Sequence, residues 1–417
     1  MAGKIEVFTA HLIHPSQYGF QSGKSTLTNL ATHTSYIRLN MAKGSQVDSI
    51  YTDFSKAFDK VDHGLLLFKL GRYGIRGPLL AWLGSYLSDR SQRVKFASKT
   101  SEPIIVRSGV PQGRVLSTLL FKLFNNDLPH LLDEVEVSLF ADDLKMSKII
   151  KSHADTIILQ QAANTTRQWC LDNFMYLNES KCLVISFTRR NEIVDGNYSI
   201  GGTILLRVNS VKDLGVILDS KLNFKKQVDK IVSSGNSILG FIKRRAKEFD
   251  DPYLTKQLFS TLVLPVVEYV SSIWAPYRDI DIKRLESIQK QFLIFALRHL
   301  GFSGPQLPAY RSRLLLLNMI PLEDRRNVAY ALLAFDLIRG NVIANELKNR
   351  IIINNNQHST RSRRFLREEL HHSDFSYNDV VSRAIRNFNS NSDLYDESVS
   401  KNTFKSRIIN KLKCLRN

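Results

Sequence analysis

The chain has little cysteine and no long apolar run. Its 417 residues include three cysteines, and no two of them form a Cys-x-x-Cys pair. This number and spacing exclude a cysteine-based zinc site and a disulfide framework, and they are typical of a reducing compartment. The most apolar stretch, residues 258–274, contains a proline and a glutamate and falls short of a membrane crossing. We therefore expect an intracellular protein, in the nucleus and/or the cytoplasm, with no membrane partner.

Acidic residues are also in short supply. Asp and Glu number 39 against 58 Lys and Arg, which gives a formal net charge of +19. Such an excess of positive charge indicates a polyanionic partner, with nucleic acid ahead of a membrane surface, although charge alone does not specify it. At 43% hydrophobic and 10% aromatic residues, the chain is a folded protein and not a disordered one.

The pattern of predicted secondary structure changes near residue 220. Before it, short apolar runs alternate with amphipathic helical segments and Gly-containing turns; after it, long helical segments follow one another. The pattern predicts a mixed half with strands and helices, followed by a half made of helices. We find no internal repeat.

One stretch resembles a phosphate-binding P-loop. It runs from Gln17 to Thr26 and ends in Gly-Lys-Ser-Thr. The motif requires four residues between its glycines, whereas Gly19 and Gly23 enclose three, and no apolar strand precedes them. We reject an NTPase on these two grounds and expect a basic loop leading into a helix from about Ser25 to Met41.

Two adjacent carboxylates, Asp142 and Asp143, follow an alternating apolar run that predicts a half-buried strand. The apolar segment 144–150 returns, so the pair is predicted to lie at the tip of a hairpin. Neighbouring carboxylates repel each other unless a cation neutralises them. A divalent-metal site supplies such a cation, because Mg²⁺ prefers hard oxygen ligands. The alternative is an ordinary turn, in which Asp is common for local hydrogen bonding.

A third carboxylate, Asp53, lies at the predicted end of another strand, and Phe58 follows five residues later. Together with the acidic pair it supplies three carboxylates from two segments. A polymerase needs such a set, because two metal ions about 4 Å apart bind the attacking hydroxyl, the triphosphate and the leaving oxygen. Phosphoryl transfer depends on positioning and charge neutralisation more than on a nucleophilic side chain.

Two further segments carry polar groups. Residues 108–113 form a Gly/Pro turn before an apolar helix, and Gln112 there offers an amide donor and acceptor beside flexible glycines. The alternative is a plain strand-to-helix connection. Residues 93–96 and 103–106 are predicted to pair as a hairpin that carries basic groups, and 213–218 is predicted to be a strand.

Taken in order, these motifs resemble the reverse transcriptases of non-LTR (LINE-like) retrotransposons, most closely the jockey-type group. The match in order and spacing extends to about residue 220, and 261–297 resembles the helical region that follows the polymerase core. The motifs are Gln17–Thr26, Tyr51–His63, Ser108–Pro129, Phe140–Asp143, Asn178–Phe187 and Asp213–Val216.

The resemblance implies an α+β right-hand polymerase: fingers and palm over 1–220, a helical thumb-like region over 221–300 and a basic helical region over 301–417. It also implies an RNA template, a DNA primer, deoxynucleoside triphosphates and Mg²⁺, with Mn²⁺ as the alternative ion; it leaves the oligomeric state open. The implied site residues are the metal-binding catalytic carboxylates Asp53, Asp142 and Asp143, the aromatic sugar gate Phe58, the template- and nucleotide-side loop residues Gln112 and Gly113, the triphosphate-side Lys181, and the primer-grip pair Leu214 and Gly215.

The sequence departs from the family pattern at three places in these motifs. Gln21 stands where the family usually has Arg, Arg114 replaces a small residue after Gly113, and Thr118 replaces a Pro. The short leader before Gln17 predicts a member truncated at its N-terminus, without the endonuclease domain. Two hypotheses follow: an RNA-directed DNA polymerase, or a catalytically inactive remnant that still binds nucleic acid.

Overall fold

The computed structural model describes residues 2–246, 251–298, 301–302, 304–354 and 364–414. They form two compact units. The first comprises Met1–Asn29 and Lys43–Asn209, and the second comprises Leu30–Ala42 and Ser210–Asn417. The domain boundaries predicted at 220 and 300 stay predictions.

The first unit mixes short helices with strands. Its helices are α1 (Ala2–Thr9), the first turn of α2 (Thr26–Ala42), α3 (Ala57–Lys60), α4 (His63–Arg72), α5 (Gly77–Leu87), α6 (Val115–Phe124) and α7 (His153–Asp172). Its strands are β1 (Gln46–Thr52), β2 (Arg90–Gln92), β3 (Lys95–Phe96), β4 (Lys99–Thr100), β5 (Ile104–Val106), β6 (Glu136–Phe140), β7 (Asp143–Ile150), β8 (Leu183–Phe187), β9 (Ser199–Ile200), β10 (Thr203–Ile204) and β11 (Leu206–Arg207).

A five-stranded sheet of order β11-β8-β1-β7-β6 forms the centre of this unit. Strand β1 pairs antiparallel with β7 on one side and with β8 on the other. Strand β1 is buried on both faces: all of its residues except Tyr51 are buried, although its sequence contains several polar residues. Its polar residue Asp48 is fully buried and accepts hydrogen bonds from Tyr198 Oη and Gln46 Nε2, both at 2.8 Å.

The helices α4, α5, α6 and α7 cover this sheet with one continuous apolar core. Lys69 is buried in it: its Nζ contacts Asp127 Oδ2 at 2.7 Å and lies 4.6 Å from the centre of the Phe124 ring. The amphipathic helices predicted from the sequence thus bury their apolar faces together against the sheet.

The predicted basic hairpin is present, but its strands pair differently. Residues 93–96 were expected opposite 103–106, whereas β2 pairs with β5 and β3 pairs with β4 further out. The local turn between β3 and β4, with Ala97 in the left-handed region at a φ of 51°, sets this register.

Among its described residues, the second unit is helical apart from a two-stranded hairpin, β12 (Ser210–Asp213) and β13 (Val216–Asp219), and an isolated bridge between Ile353 and Leu366. Its helices are the remainder of α2, α8 (Lys225–Arg245), α9 (Pro252–Leu258), α10 (Leu264–Glu268), α11 (Ser271–Trp274), α12 (Asp279–Arg298), α13 (Tyr310–Leu316), α14 (Leu322–Arg339), α15 (Asn345–Lys348), α16 (Asp374–Tyr377), α17 (Val380–Asn389) and α18 (Lys401–Cys414).

The prediction of one continuous strand over 213–218 is wrong, because a turn interrupts it. Leu214 and Gly215 form the turn between β12 and β13, and both have positive φ angles, 42° and 90°. The Tyr269 hydroxyl donates to the Leu214 carbonyl oxygen at 3.0 Å and packs near Gly215. An apolar run therefore turns in its middle because glycine tolerates the left-handed backbone there.

Buried aromatic and charged groups hold the second unit together. The rings of Phe259 and Phe292 stack at 4.2 Å, and Arg350 Nη1 contacts the buried Asp379 Oδ2 at 2.7 Å. No helix in the described ranges is long and apolar enough to span a bilayer. The α+β class expected from the sequence is confirmed.

Candidate active site

One end of the central sheet gathers the acidic residues. Strand β1 ends at Thr52, which is paired with Leu144 of β7, and continuing that register by one residue places Asp53 opposite Asp143. On its other side β1 pairs with β8 as far as Tyr51 opposite Leu183, so that Asp53, two residues later, lies near the segment that leads into β8. Because β1 runs antiparallel to both neighbours, the end of β1 and the starts of β7 and β8 meet at one edge.

The hairpin between β6 and β7 closes with a two-residue loop, Ala141 and Asp142, between the paired residues Phe140 and Asp143. Ala141 has a φ of 57°, the left-handed conformation that a tight hairpin turn requires at its first position. The acidic pair is therefore at the hairpin tip, as the alternation in the sequence predicts.

The Asp142 carboxylate is partly buried in this turn, while Asp143 is exposed. Burial raises the pKa of Asp142 above its usual value, and the negative charge of Asp53 raises it further. Two carboxylates thus lie close enough for their charges to repel each other. A cation placed between them would favour the ionised form of both.

Asp53 itself has a basic neighbour, since Lys181 Nζ lies 3.4 Å from Asp53 Oδ2. The backbone fixes this pairing: Asn178 N–H donates to the Asp53 carbonyl oxygen at 2.7 Å, and Lys181 N–H donates to the Asn178 carbonyl oxygen at 2.9 Å. The structure thus brings together two residues that lie 128 positions apart in the sequence.

Behind the acidic hairpin lies a buried pair of amides that sequence reasoning missed. Gln17 Nε2 donates to Asn125 Oδ1 at 3.3 Å, and Asn125 Nδ2 donates to the Ala141 carbonyl oxygen at 3.1 Å. Gln17 Oε1 accepts from the Gly19 N–H at 2.9 Å. Gln17 is fully buried and Asn125 nearly so. This network ties the hairpin loop to the C-terminal end of α6, and no local pattern in the sequence signals it.

Residues 16–19 also extend the edge of the sheet. Tyr18 N–H donates to the Leu139 carbonyl oxygen at 2.7 Å, and Leu139 N–H donates to the Ser16 carbonyl oxygen at 2.9 Å. Gly19 then passes so close to the hairpin that a Cβ built on it would lie 2.3 Å from the Ala141 nitrogen. The segment expected to be only a basic loop therefore supports the acidic turn directly.

The Lys24 side chain confirms that this segment is structural. Its Nζ donates to the Gln17 carbonyl oxygen at 3.0 Å and lies 4.6 Å from the centre of the Tyr18 ring. Lys24 thus helps to hold residues 17 and 18 in place.

The Phe58 ring is held between two other aromatic rings. It stacks on Phe121 of α6 at 4.3 Å with an interplanar angle of 20°, and Phe20 meets it edge-on at 6.3 Å. The Phe20 carbonyl oxygen accepts a hydrogen bond from the buried Lys122 Nζ at 3.1 Å. Phe20 is another residue that the sequence analysis did not single out.

The Gln112 loop is fastened to the helix that carries Phe58. Val110 N–H donates to the Phe58 carbonyl oxygen at 2.8 Å, and the Ser108 hydroxyl donates to the Asp59 carbonyl oxygen at 2.9 Å. The exposed Gln112 Nε2 donates to Asp59 Oδ1 at 3.3 Å. Gly113, with a φ of 79°, has open space where a side chain would lie.

The donor set at the sheet end fits a hard divalent cation by its chemistry, because three carboxylates offer only oxygen ligands. Within the described part of the chain, however, no three acidic, histidine or cysteine side chains are already close enough together to hold a metal ion. Asp53 and Asp142 interact, and Asp143 shares the same edge through its register. The predicted ligand set stays a prediction.

Comparison with known proteins identifies sequences and folds to which this chain is similar. Residues 1–218 match the family model described as reverse transcriptase (RNA-dependent DNA polymerase). The chain is 28% identical over 297 residues to a probable RNA-directed DNA polymerase from transposon X-element of Drosophila melanogaster, covering 69% of this chain and 32% of that protein. It is 31% identical over 231 residues to the corresponding protein from transposon BS of the same species, covering 52% and 25%.

A third relative is the RNA-directed DNA polymerase from mobile element jockey of Drosophila funebris, 27% identical over 229 residues, which cover 52% of this chain and 24% of that protein. The chain thus spans about a third or less of the length of these relatives. Among solved structures, apo telomerase from Candida tropicalis aligns with a TM-score of 0.43 and 11% identity, covering 76% of this chain and 53% of that one.

Proposed function

The chain belongs to the reverse transcriptase (RNA-dependent DNA polymerase) family, and from this we propose that it acts as the RNA-directed DNA polymerase domain of a non-LTR retrotransposon. In this reaction the primer 3′-hydroxyl attacks the α-phosphorus of a deoxynucleoside triphosphate. A phosphodiester bond forms, the bond to the β-phosphate breaks, and pyrophosphate leaves.

The observation that carries the proposal is that Asp53, Asp142 and Asp143 lie at the same end of the central sheet, with Lys181 beside Asp53. We assign the three carboxylates as the catalytic metal ligands and Lys181 as the cation on the triphosphate side. Bound Mg²⁺ or Mn²⁺ would supply charge neutralisation at the attacking and leaving oxygens.

The neighbouring residues are assigned to substrate positioning. Phe58, fixed between two rings, is proposed to limit the space at the sugar 2′ position of the nucleotide. Gln112 and Gly113 are proposed to face the template and the incoming base, since their loop is exposed and hydrogen-bonded to the segment that carries Phe58. Leu214 and Gly215, at the turn between β12 and β13, are proposed to form the primer grip.

The remaining assignments follow from the same proposal. Residues 1–220 would serve as fingers and palm, 221–300 as a thumb-like region and 301–417 as a basic helical region. An excess of 19 positive charges favours an RNA template and a DNA primer as partners, because phosphate contacts dominate such binding. The proposed reaction needs nucleotides and nucleic acid, which assigns the protein to the nucleus and/or the cytoplasm.

A second candidate function is nucleic-acid binding without catalysis. Two observations favour it. The exposed Arg114 follows Gly113 directly and projects a cation beside the template-side loop. Gln21, where the family usually has Arg, carries no charge, and its Oε1 is buried without a hydrogen-bond partner. Both changes affect nucleotide positioning and leave the carboxylates intact.

Primer extension separates the two functions. The purified chain is incubated with a DNA primer annealed to an RNA template, the four deoxynucleoside triphosphates, and Mg²⁺, Mn²⁺ or a chelator. We expect extension only with a divalent cation. Asp142→Ala should abolish extension while salt-sensitive RNA binding persists, and the matched control Glu192→Gln, an exposed acidic residue outside the site, should extend normally.

The opposite outcome is equally informative. If the unmutated chain binds the primer–template but extends no primer with either metal ion, the polymerase assignment is wrong and binding without catalysis is the function. Extension that survives Asp142→Ala would remove the acidic hairpin from the mechanism.

A further inference from the structure

A protruding hairpin in the first unit carries no part of the core. It consists of residues 90–107, which we call the arm: β2 pairs with β5 at its base and β3 pairs with β4 near its tip. Every residue from 91 to 105 is exposed. A segment of this length without a buried residue contributes little to folding, so its composition points to another role.

The arm exposes a cluster of large apolar side chains, which is unusual for a surface that faces only solvent. Phe96 is 83% exposed, and Val94, Ile104 and Ile105 are each more than half exposed. Apolar groups concentrated in one exposed place mark a binding surface. They do not, by themselves, identify what binds.

The charges of the arm favour a polyanionic partner. Glu102 is its single acidic residue. Four of its cations, Arg93, Lys95, Lys99 and Arg107, make no ion pair or side-chain hydrogen bond within the ranges that the structure describes. Unpaired cations around exposed apolar groups complement phosphates with unstacked bases, and they complement neither a neutral nor a basic surface.

The tip of the arm matches a single strand better than a duplex. Phe96 and Lys99 are directly opposite each other in the pairing of β3 with β4, so their side chains lie on the same face. An exposed aromatic ring with an ammonium group beside it can stack an unpaired base and contact its phosphate. The bases of a duplex are already stacked and would leave the Phe96 ring without a partner.

The base of the arm leads to the template-side loop. Arg90 Nη2 donates to the Gly109 carbonyl oxygen at 2.6 Å, and His63 Nε2 lies 2.9 Å from the same oxygen. Strand β5 ends at Val106, two residues before Ser108 begins the loop that carries Gln112. A strand bound along the arm would therefore be continuous with the loop proposed to face the template.

We propose that the arm binds an unpaired segment of the RNA template, with Phe96 stacking on a base and Arg93, Lys95, Lys99 and Arg107 contacting phosphates. The choice of the template strand rests on the proposed function; the binding of a single strand rests on the arm alone.

Equilibrium binding of a fluorescent single-stranded RNA to the full chain tests this, measured by anisotropy over a range of salt concentrations. Replacing all four cations with Gln should lower the salt-dependence slope by up to about 3, since each phosphate contact to a single strand contributes about 0.7. Phe96→Ala should weaken binding roughly ten-fold. Phe96→Trp should restore the affinity, whereas Phe96→Leu should not, because leucine has no aromatic face.

Matched controls lie elsewhere on the chain. Phe68 on α4 is also more than half exposed, so Phe68→Ala removes an equivalent ring. A second control replaces four exposed cations outside the arm with Gln and so removes the same total charge; these are Lys43, Arg72, Lys151 and Lys212. These variants should bind RNA more tightly than the arm variants, and all should melt at the unmutated temperature because the changed residues are exposed.

Several results would overturn the proposal. They are absence of RNA binding by the unmutated chain, an unchanged salt slope in the four-cation arm variant, and full affinity in Phe96→Leu, which would indicate that the apolar residues contact a protein. Equal affinity for duplex RNA would exclude a single-strand platform, and preference for single-stranded DNA would exclude the template. Arm-dependent RNA binding without primer extension would contradict the polymerase assignment and leave the single-strand site standing.

Discussion

The acidic hairpin and the Gln112 loop carry residues that we assign to the same reaction, yet the structure supports them differently. Behind the hairpin, Gln17 and Asn125 are buried and hydrogen-bonded to each other, and Asn125 is bonded to the hairpin loop. In the other region, Gln112 is exposed, and its amide contacts an exposed Asp59 carboxylate at 3.3 Å.

The difference indicates which side chains are held in a fixed position before substrates bind. Carboxylates that must direct charge at reacting oxygens gain most from a fixed position, because preorganised groups need no rearrangement during the reaction. Groups that face a varying base or template need freedom to adapt. We therefore expect changes behind the hairpin to reduce the rate of chemistry and changes around Gln112 to alter substrate binding and selection.

The largest effect is expected from Gly19→Ala. The added methyl group would lie 2.3 Å from the Ala141 nitrogen, a backbone atom that can move only if the acidic turn moves. We expect a stability loss of about 1–3 kcal/mol from overpacking. We also expect roughly a hundred-fold lower kcat, since displacing reacting groups by about 1 Å has such a cost. Thermal unfolding and single-turnover extension measure the two effects.

Gly71→Ala is the control for this substitution. Gly71 lies within α4, and the nearest atom to an added methyl group there is a leucine Cδ at 3.9 Å. Alanine should be neutral or stabilising by up to about 1 kcal/mol because it favours the helix. Equal activity of the two alanine variants would show that the close contact of Gly19 with the hairpin is irrelevant to catalysis.

The next largest effect is expected from Gln17→Leu. It leaves the buried Asn125 Oδ1 without its donor, and an unsatisfied buried polar group costs about 1–3 kcal/mol. Because Asn125 also holds the Ala141 carbonyl oxygen, kcat should fall more than the KM for nucleotide rises. Urea unfolding and steady-state extension kinetics give both values.

Gln21→Leu provides the comparison, since Gln21 Oε1 is buried without a hydrogen-bond partner and its loss should cost little stability. A rise in KM with kcat unchanged in Gln17→Leu would contradict a role for this amide pair in positioning the acidic turn.

The acidic hairpin and the residues behind it also show how much of the site could be predicted from the sequence. The alternation before Asp142 and the strand that precedes Asp53 were sufficient to predict the hairpin and a carboxylate at a strand end, because period-2 patterns and turn residues act locally. The support by Gln17, Gly19 and Asn125 was not predictable, because it depends on contacts across more than 100 residues.

The same reason explains the remaining differences in the fold. The turn at Leu214 and Gly215 interrupts an apolar run, and the Tyr269 hydroxyl bonds to it from 55 residues away. The arm strands also differ from the predicted pairing, because residues 90–92 pair with 104–106 and residues 95–96 pair with 99–100. Apolar periodicity determines which segments become strands, whereas their partners depend on local turns and on distant side chains.

A smaller effect is expected from Phe20→Ala. It removes the ring that meets Phe58 edge-on and leaves the stacking on Phe121 in place. An aromatic pair contributes about 0.5–1.5 kcal/mol, so the Phe58 ring should become less restricted and discrimination against ribonucleotides should fall by up to about ten-fold. The ratio of kcat/KM for dATP and ATP on the same primer measures it.

Phe58→Ala should relax that ratio further, and the double variant should add little to it, because Phe20 acts through Phe58. Additive losses in the double variant would mean that Phe20 contacts the nucleotide independently of the gate.

The smallest effect is expected from Asp59→Ala. The hydrogen bond from Gln112 to Asp59 is long and exposed, so its loss should cost about 1 kcal/mol or less and leave folding unaffected. If this bond orients the amide toward the template, kcat/KM should fall a few-fold through KM, with kcat unchanged. Asp59→Asn, which keeps an acceptor oxygen, should restore it. A loss in kcat equal to that of Gln17→Leu would mean that the Gln112 loop is as rigidly coupled to the chemistry as the hairpin, and the contrast between the two regions would fail.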